Sequence, residues 1–269
     1  MKLIYLPIIL FSLHSCSLIE KKSCKVPSQL LNEISKIAHQ EKATIKEFSG
    51  INNLLFELEA VDSLNDFSYC NDYITNIAVL FNSPDSNKRA LGYRLIGLAR
   101  DTSFNTELIK RINSDENSLL KTWCSTALME NKAPNSAEPL FKLLTSPPDG
   151  LPVSLLINKY ITYDVESVKK TSWKFIDSPI RTEQIFAIQI LSYFEKYEKL
   201  QAKLIEFLSS WEMESKGWVI SAIAQQKMAN LKPTLEQYLT NEDLKDVIIL
   251  ALENSPTKSD NEFAKELNK

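Results

Sequence analysis

Apolar positions recur in steps of three and four along almost the whole chain, and few stretches alternate apolar with polar residues. The first pattern lines one face of a helix and the second would line one face of a strand, so the chain reads as all-α. Five segments repeat the helical pattern at a fixed interval: LIKRI from Leu108, LFKLL from Leu140, SWKFI from Ser172, LIEFL from Leu204 and LEQYL from Leu235. Their starts lie 32, 32, 32 and 31 residues apart. The last position is always apolar (Ile112, Leu144, Ile176, Leu208, Leu239) and the middle one always polar (Lys110, Lys142, Lys174, Glu206, Gln237). First and last positions are four apart and therefore share a helix face.

A second helix precedes each segment, centred on Ile96, Leu128, Tyr160, Leu191 and Ile223, with spacings of 32, 32, 31 and 32. Four residues before each centre stands a small or aliphatic residue: Gly92, Cys124, Leu156, Ala187 and Val219. The small ones predict close approach of neighbouring helices. Pro84, Pro147 and Pro179 each follow a serine. That pair predicts helix starts, because serine caps an N-terminus and proline is tolerated in the first turn. TNEDLKDVIILAL, from Thr240, opens with acids that suit a helix N-terminus.

Helix pairs repeating every 32 residues or so predict an α-solenoid, in which each pair packs on the next. The tetratricopeptide and ankyrin signatures do not recur. The segment KRALGYRLIGLA, Lys88 to Ala99, resembles the first helix of HEAT-like repeats, with its arginine, small residues and aliphatic-glycine step. This resemblance covers residues 84–254 and implies an alpha-alpha superhelix whose second helices line a concave surface. Residues 51–83 are expected to form an earlier, degenerate pair. PSQLLNEISKIAHQ, Pro27 to Gln40, reads as the N-terminal capping helix and NEFAKEL as the closing one, so the whole solenoid is expected over 27–269.

The N-terminus carries a different signal. Lys2 is followed by an apolar run from Leu3 to Leu13, shorter than the roughly 20 residues that span a bilayer. A charged start and a short apolar core are the parts of an export signal. The run ends Leu13-His14-Ser15-Cys16, which resembles the lipobox of bacterial lipoproteins. The resemblance implies a signal peptide over 1–15, cleavage before Cys16, lipid on Cys16 and a tether over 16–26. It implies a lipid-anchored protein of the bacterial cell envelope, and Ser17 resembles the residue found in lipoproteins sorted to an outer membrane, facing the periplasm or exterior. An ordinary export signal and a buried first helix are the alternatives.

The composition narrows the chemistry. Without residues 1–15 the chain keeps 34 acids against 30 bases, and that balance argues against a nucleic-acid binder, which needs a basic footprint. Beyond position 15 the sequence holds one histidine, His39, so a two-histidine metal motif is excluded and a histidine-activated nucleophile would have to use that residue. There is no glycine-rich phosphate loop and no nucleophile elbow, and Cys24, Cys70 and Cys124 lack zinc-ligand spacing. No metal and no cofactor are expected. Asp62 with Asp66, and Glu212 with Glu214, could be drawn as acid–base pairs, but they fall near helix ends, where carboxylates cap or stay solvated.

Export permits one disulfide. Cys24 and Cys70, both N-terminal to the clearest repeats, are the candidate pair, with unpaired thiols the alternative. Cys124 lies in a helical pattern and is expected to be buried. The column Lys110, Lys142 and Lys174 forms a candidate basic ridge along the second helices, broken by Glu206 and Gln237, with a row of solvated helix faces as the alternative. Trp211, after LSS, is expected to begin a helix with its ring exposed and to serve as an aromatic contact, whereas Trp173 is expected in the core. The function expected from these features is a non-catalytic scaffold that holds an unidentified protein partner of the cell envelope. An enzyme or ligand-binding accessory of HEAT-like type, and a structural envelope protein with no specific partner, remain the alternatives.

Overall fold

The computed structural model describes residues 24–60, 69–114, 117–194 and 198–268. Cys16 and the apolar run before it lie outside these residues, as do Asp62 and Asp66. Every regular element among the described residues is helical. The α-helices are α1 (Ser28–His39), α2 (Ile45–Ala60), α3 (Asn71–Phe81), α4 (Ser86–Ala99), α5 (Asn105–Ile112), α6 (Ser118–Glu130), α7 (Ala137–Thr145) and α8 (Val153–Tyr163). They continue as α9 (Val165–Phe175), α10 (Arg181–Ser192), α11 (Glu198–Ser210), α12 (Met213–Gln225), α13 (Lys232–Leu235), α14 (Glu242–Asn254) and α15 (Lys258–Leu267). No described helix is long and apolar enough to cross a membrane.

Packing partners follow a simple order. Even-numbered helices lie against one another, α4 on α6, α6 on α8, α10 on α12 and α12 on α14, while α5 packs on α7 and α7 on α9. Successive helices such as α5 and α6, α9 and α10, or α11 and α12 pack across. The two sequence registers explain where the core sits. Ile96, Leu128, Tyr160, Leu191 and Ile223 are all fully buried on the even helices, and so are Leu108, Leu140, Ser172, Leu204 and Leu235 on the odd ones. The middle residues of the odd register, Lys110, Lys142, Lys174, Glu206 and Gln237, are all exposed.

Close approach occurs where the sequence offers small residues. A Cβ on Gly92 would stand 3.0 Å from Phe81 N on α3, and one on Gly97 would stand 2.9 Å from Ala127 Cα on α6. Both helix contacts exist because these positions lack a side chain.

The helix ends repeat too. Asp85, Asn117 and Asp164 cap α4, α6 and α9, each accepting from the backbone N–H three residues on, and Asn241 caps α14 from the N–H two residues on. At the other end Arg100, Lys132 and Lys227 adopt left-handed backbone, with φ of 51°, 46° and 47°. The residue after each donates its N–H back to the register centre: Asp101 to Ile96 O, Ala133 to Leu128 O and Met228 to Ile223 O. A cation at this place also suits the negative end of the helix dipole. Three lysines early on even helices close the ends of earlier ones: Lys88 donates to Gln40 O at 2.8 Å, Lys121 to Ile112 O at 3.1 Å, and Lys216 to Leu208 O.

Two expectations are corrected. The Ser-Pro steps do not put proline into a first helical turn. Ser83 and Ser178 instead accept the N–H two residues on, from Asp85 and Ile180, and so shape the turn ahead of α4 and α10. Pro147 precedes α8 by several residues. Nor do residues 51–83 form a stacked pair. α3 packs on α1 and α4, whereas α2 lies against α1 and α4. Arg94, buried on α4, explains the placing of α2: its guanidinium sits 2.5 Å from Glu59, 4.7 Å from the Phe56 ring and 5.1 Å from the Trp123 ring of α6. A buried arginine needs a carboxylate, and α2 carries it. Ahead of α1, Cys24 is joined to Cys70 by a disulfide, with Cα atoms 4.8 Å apart.

Candidate interaction surfaces

The three lysines of the expected ridge stand exposed on α5, α7 and α9, and each has an acid from its own chain. Lys110 Nζ is 3.2 Å from Glu107, Lys142 Nζ is 3.5 Å from Glu138, and Lys174 Nζ reaches the same Glu138 at 2.6 Å. Glu138 is therefore a clasp between α7 and α9. On α11 the pattern continues with Lys203, which contacts Asp177 at 2.8 Å and Glu206 at 3.1 Å. The strip is one of paired charge, and exposed pairs of this kind contribute little to stability or net potential. The pairing was not legible in the sequence, because Glu138 and Lys174 are far apart along the chain.

Trp211 is corrected outright. It is 5% exposed and does not begin a helix. Its N–H donates to Phe207 O at 2.9 Å, so it prolongs the hydrogen-bond ladder of α11. The ring stacks on Phe207, four residues earlier, at 4.7 Å, and the Arg181 guanidinium covers the ring with its carbon 4.1 Å from the centroid. Both faces are taken before any partner arrives. Arg181 is itself held by Gln184 at 2.7 Å and Glu212 at 3.1 Å. These groups line an open cavity of about 730 Å³ with Asp177 and Glu206. The backbone hydrogen bond at Glu212 itself and then the Arg181 charge hold the Glu212 carboxyl below the usual range. Glu212 is thus a salt-bridge partner, and Glu214 sits exposed on the first turn of α12; neither faces a closed cleft.

The remaining candidates are structural. Trp173 is half-buried against the core, with Lys199 Nζ 4.5 Å from its ring centroid. Cys124 is buried and donates its thiol hydrogen to Leu108 O at 3.0 Å. His39 is exposed at the end of α1, its Nδ1 2.8 Å from Ser35 O. Among the described residues no cluster of three His, Cys, Asp or Glu is placed to hold a metal ion.

One surface was missed. Leu91, Trp123, Leu155, Phe186 and Trp218 stand five residues before the even-register centres, spaced 32, 32, 31 and 32, and Leu250 lies 32 residues further on, on α14. All six are large and apolar. Leu91 is buried, Trp123 is half-buried, and Leu155, Trp218 and Leu250 are exposed by 66%, 48% and 47%. The column was present in the sequence, but with one residue per helix and three residue types it is not visible as a local run.

The chain matches no protein-family model and no curated protein.

Proposed function

We propose that this protein is a lipid-anchored, non-catalytic scaffold: an α-solenoid of HEAT-like helix pairs with a period near 32 residues, tethered at Cys16 and binding a protein partner along its extended surface. One observation carries the reading: equivalent positions of five successive helices in each register are buried alike, and α4, α6 and α12 share the same left-handed end. Such repetition builds a long face from many similar units, which is what stacked repeats offer a partner. The paired charge along α5, α7, α9 and α11 gives that face its polarity, and the cystine near the N-terminus suits an oxidising compartment. The lipobox-like Leu13-His14-Ser15-Cys16 supports the anchor, since acyl chains hold a protein to a membrane without a spanning helix.

Two measurements test the parts separately. Intact mass of the detergent-extracted protein is expected to equal residues 16–269 plus acyl chains; residues 16–269 without lipid would refute the anchor. Crosslinked capture from solubilised membranes is expected to return a defined partner. Loss of that partner in the Lys110→Glu, Lys142→Glu, Lys174→Glu variant would locate binding on the odd-helix face, and absence of any enriched partner would refute the scaffold.

A further inference from the structure

We infer that the outer face of α8, α10, α12 and α14 is a docking groove for an amphipathic helix of a protein partner, anchored by apolar side chains and flanked by lysine or arginine. The inference rests on the scaffold reading and names the working face and the chemistry of what it holds.

The chain itself shows how this face is covered. At Trp123, the second member of the apolar column, α2 brings Phe48 and Phe56 to ring-centroid distances of 6.2 and 6.3 Å. The same helix brings Glu59 to the buried Arg94. Further along the column no helix of the described chain plays this part. Leu155, Trp218 and Leu250 stay exposed, large apolar side chains on three of the four helices. Phe186 interrupts the row. It is 7% exposed, its ring turned onto Phe141 at 5.0 Å. A cavity of about 90 Å³ is left among α8, α10 and α12, with Ile157, Phe186, Ile190 and Ala222 on its walls and Gln189, Ser221 and Gln225 at its polar side. A pocket smaller than the ~150 Å³ that takes benzene suits one aliphatic side chain. Leu155 and Trp218 lie on the helices to either side.

Dimensions favour a helix. Neighbouring helix axes lie about 8–10 Å apart. A partner helix the length of α2, 16 residues, extends about 24 Å. It would cross three even helices, with apolar residues about seven apart, one step of roughly 10 Å, meeting successive ones.

Charge sets the sign of the partner. Glu214 and Asp246 stand four residues before Trp218 and Leu250, one turn away on the same face. Glu253 stands three residues after Leu250, on the same face of α14. Glu253 is exposed, and its carboxylate accepts from Asn268 at 3.1 Å. Exposed acids beside the apolar anchors call for a cationic partner segment. Lys245, half-buried on α14, is a basic group among these acids, with Asp243 adding a further charge.

The test is site-specific photo-crosslinking in cells, with p-benzoylphenylalanine in place of Leu155 on this face or of Lys142 on the odd-helix side. The expected result is a crosslink from position 155 to a protein segment with apolar residues at helical spacing and Lys or Arg between them. Its yield should fall about tenfold or more with Trp218→Ala or Leu250→Ala, which remove anchors, and with Glu253→Lys, which reverses charge without removing an apolar contact. Circular dichroism of each variant checks that the fold is kept. A synthetic peptide of the crosslinked segment should bind the purified protein with the same dependence. A crosslink from 155 to lipid, to a second copy of this chain or to an acidic segment overturns the inference. So does a crosslink from 142 alone, which leaves the scaffold reading standing. No protein crosslink from either position overturns both.

Discussion

Lys174 Nζ on α9 lies 2.6 Å from the carboxylate of Glu138 on α7, which Lys142 also contacts. The hydrogen bond from Lys174 holds the Glu138 carboxyl below its ordinary value of 4.5; burial pushes the other way, and the charges of Lys174 and Lys142 add to the lowering. A carboxyl depressed on folding contributes stability above its unfolded pKa and loses it as pH falls through the folded one. Because the pair is exposed, solvent screens it. A double-mutant cycle of Glu138→Gln with Lys174→Met is expected to give about 0.2–1 kcal/mol near neutral pH. The coupling should shrink with added salt and as pH drops below 4.5, read from urea midpoints. A coupling that persists in acid would show that packing, and not charge, joins α7 to α9.

How far the sequence reveals the fold depends on how local each signal is. The buried centres from Ile96 to Ile223 are legible because each follows from the helix it sits on, and the repeat multiplies the signal. Gly92 is legible for the same reason, as a small residue at a register position that meets α3. The clasp at Glu138 is not, since it joins two helices whose relative offset no local pattern states. Trp211 was misread because LSS ahead of it resembles a helix start; the ring's position is decided by Phe207 one turn back and by Arg181 on another helix. The place of α2 over α4 and α6 depends on Arg94, whose partner Glu59 stands on an otherwise ordinary helix. The apolar column through Trp218 and Leu250 lies between these cases. Its spacing was readable, but its meaning required knowing which members α2 covers.

Two glycines should respond with opposite signs to the same substitution. A Cβ on Gly97 meets Ala127 Cα at 2.9 Å, whereas one on Gly50 meets nothing within 4 Å. Gly97→Ala gains roughly 1 kcal/mol in helix propensity but forces α4 from α6, an overpacking that costs about 1–3 kcal/mol. Gly50→Ala keeps only the gain, and is expected to raise stability by about 0.5–1 kcal/mol. Denaturant midpoints of the two variants check this. A stabilised Gly97→Ala would mean that α4 and α6 separate at no cost.

The bond between Cys24 and Cys70 closes a loop across 46 residues and ties the segment before α1 to the start of α3. A loop of that length removes about 4 kcal/mol of unfolded-chain entropy at 25 °C. Cys24→Ser is expected to lower the thermal midpoint and to speed hydrogen exchange in α1 and α3 while leaving α10 to α14 protected, since α1 and α3 pack on each other, on α2 and on α4. Reduction followed by alkylation should reproduce the effect. Uniform acceleration across all helices would show that the N-terminal helices and those from α5 onward unfold as one unit.

Asp260 is fully buried on α15, and its carboxylate accepts from Ser255 Oγ at 2.6 Å, Leu231 N at 2.8 Å and Lys232 N at 3.0 Å. Two of these donors open α13, so a side chain from the last helix satisfies N–H groups that a short helix start leaves unpaired. Burial pushes the Asp260 carboxyl up, but the bonds from Ser255, Leu231 and Lys232, with Asn230 adding, outweigh it and hold the group below its ordinary 3.8. Hydrogen bonds to a charged acceptor are among the stronger ones, and removing the charge strands buried donors. Asp260→Asn is therefore expected to cost about 2–3 kcal/mol, and Ser255→Ala about 1. The folded pKa is depressed, so the stabilisation is present above the ordinary value and is lost as pH falls through the folded one. The difference in urea midpoint between wild type and Asp260→Asn should thus be largest near neutral pH and close in acid. Hydrogen exchange should place the damage in α13 and α15. A difference that does not change with pH would assign the effect to the shape of the side chain, and the carboxylate would then be no more than a filler between α13 and α15.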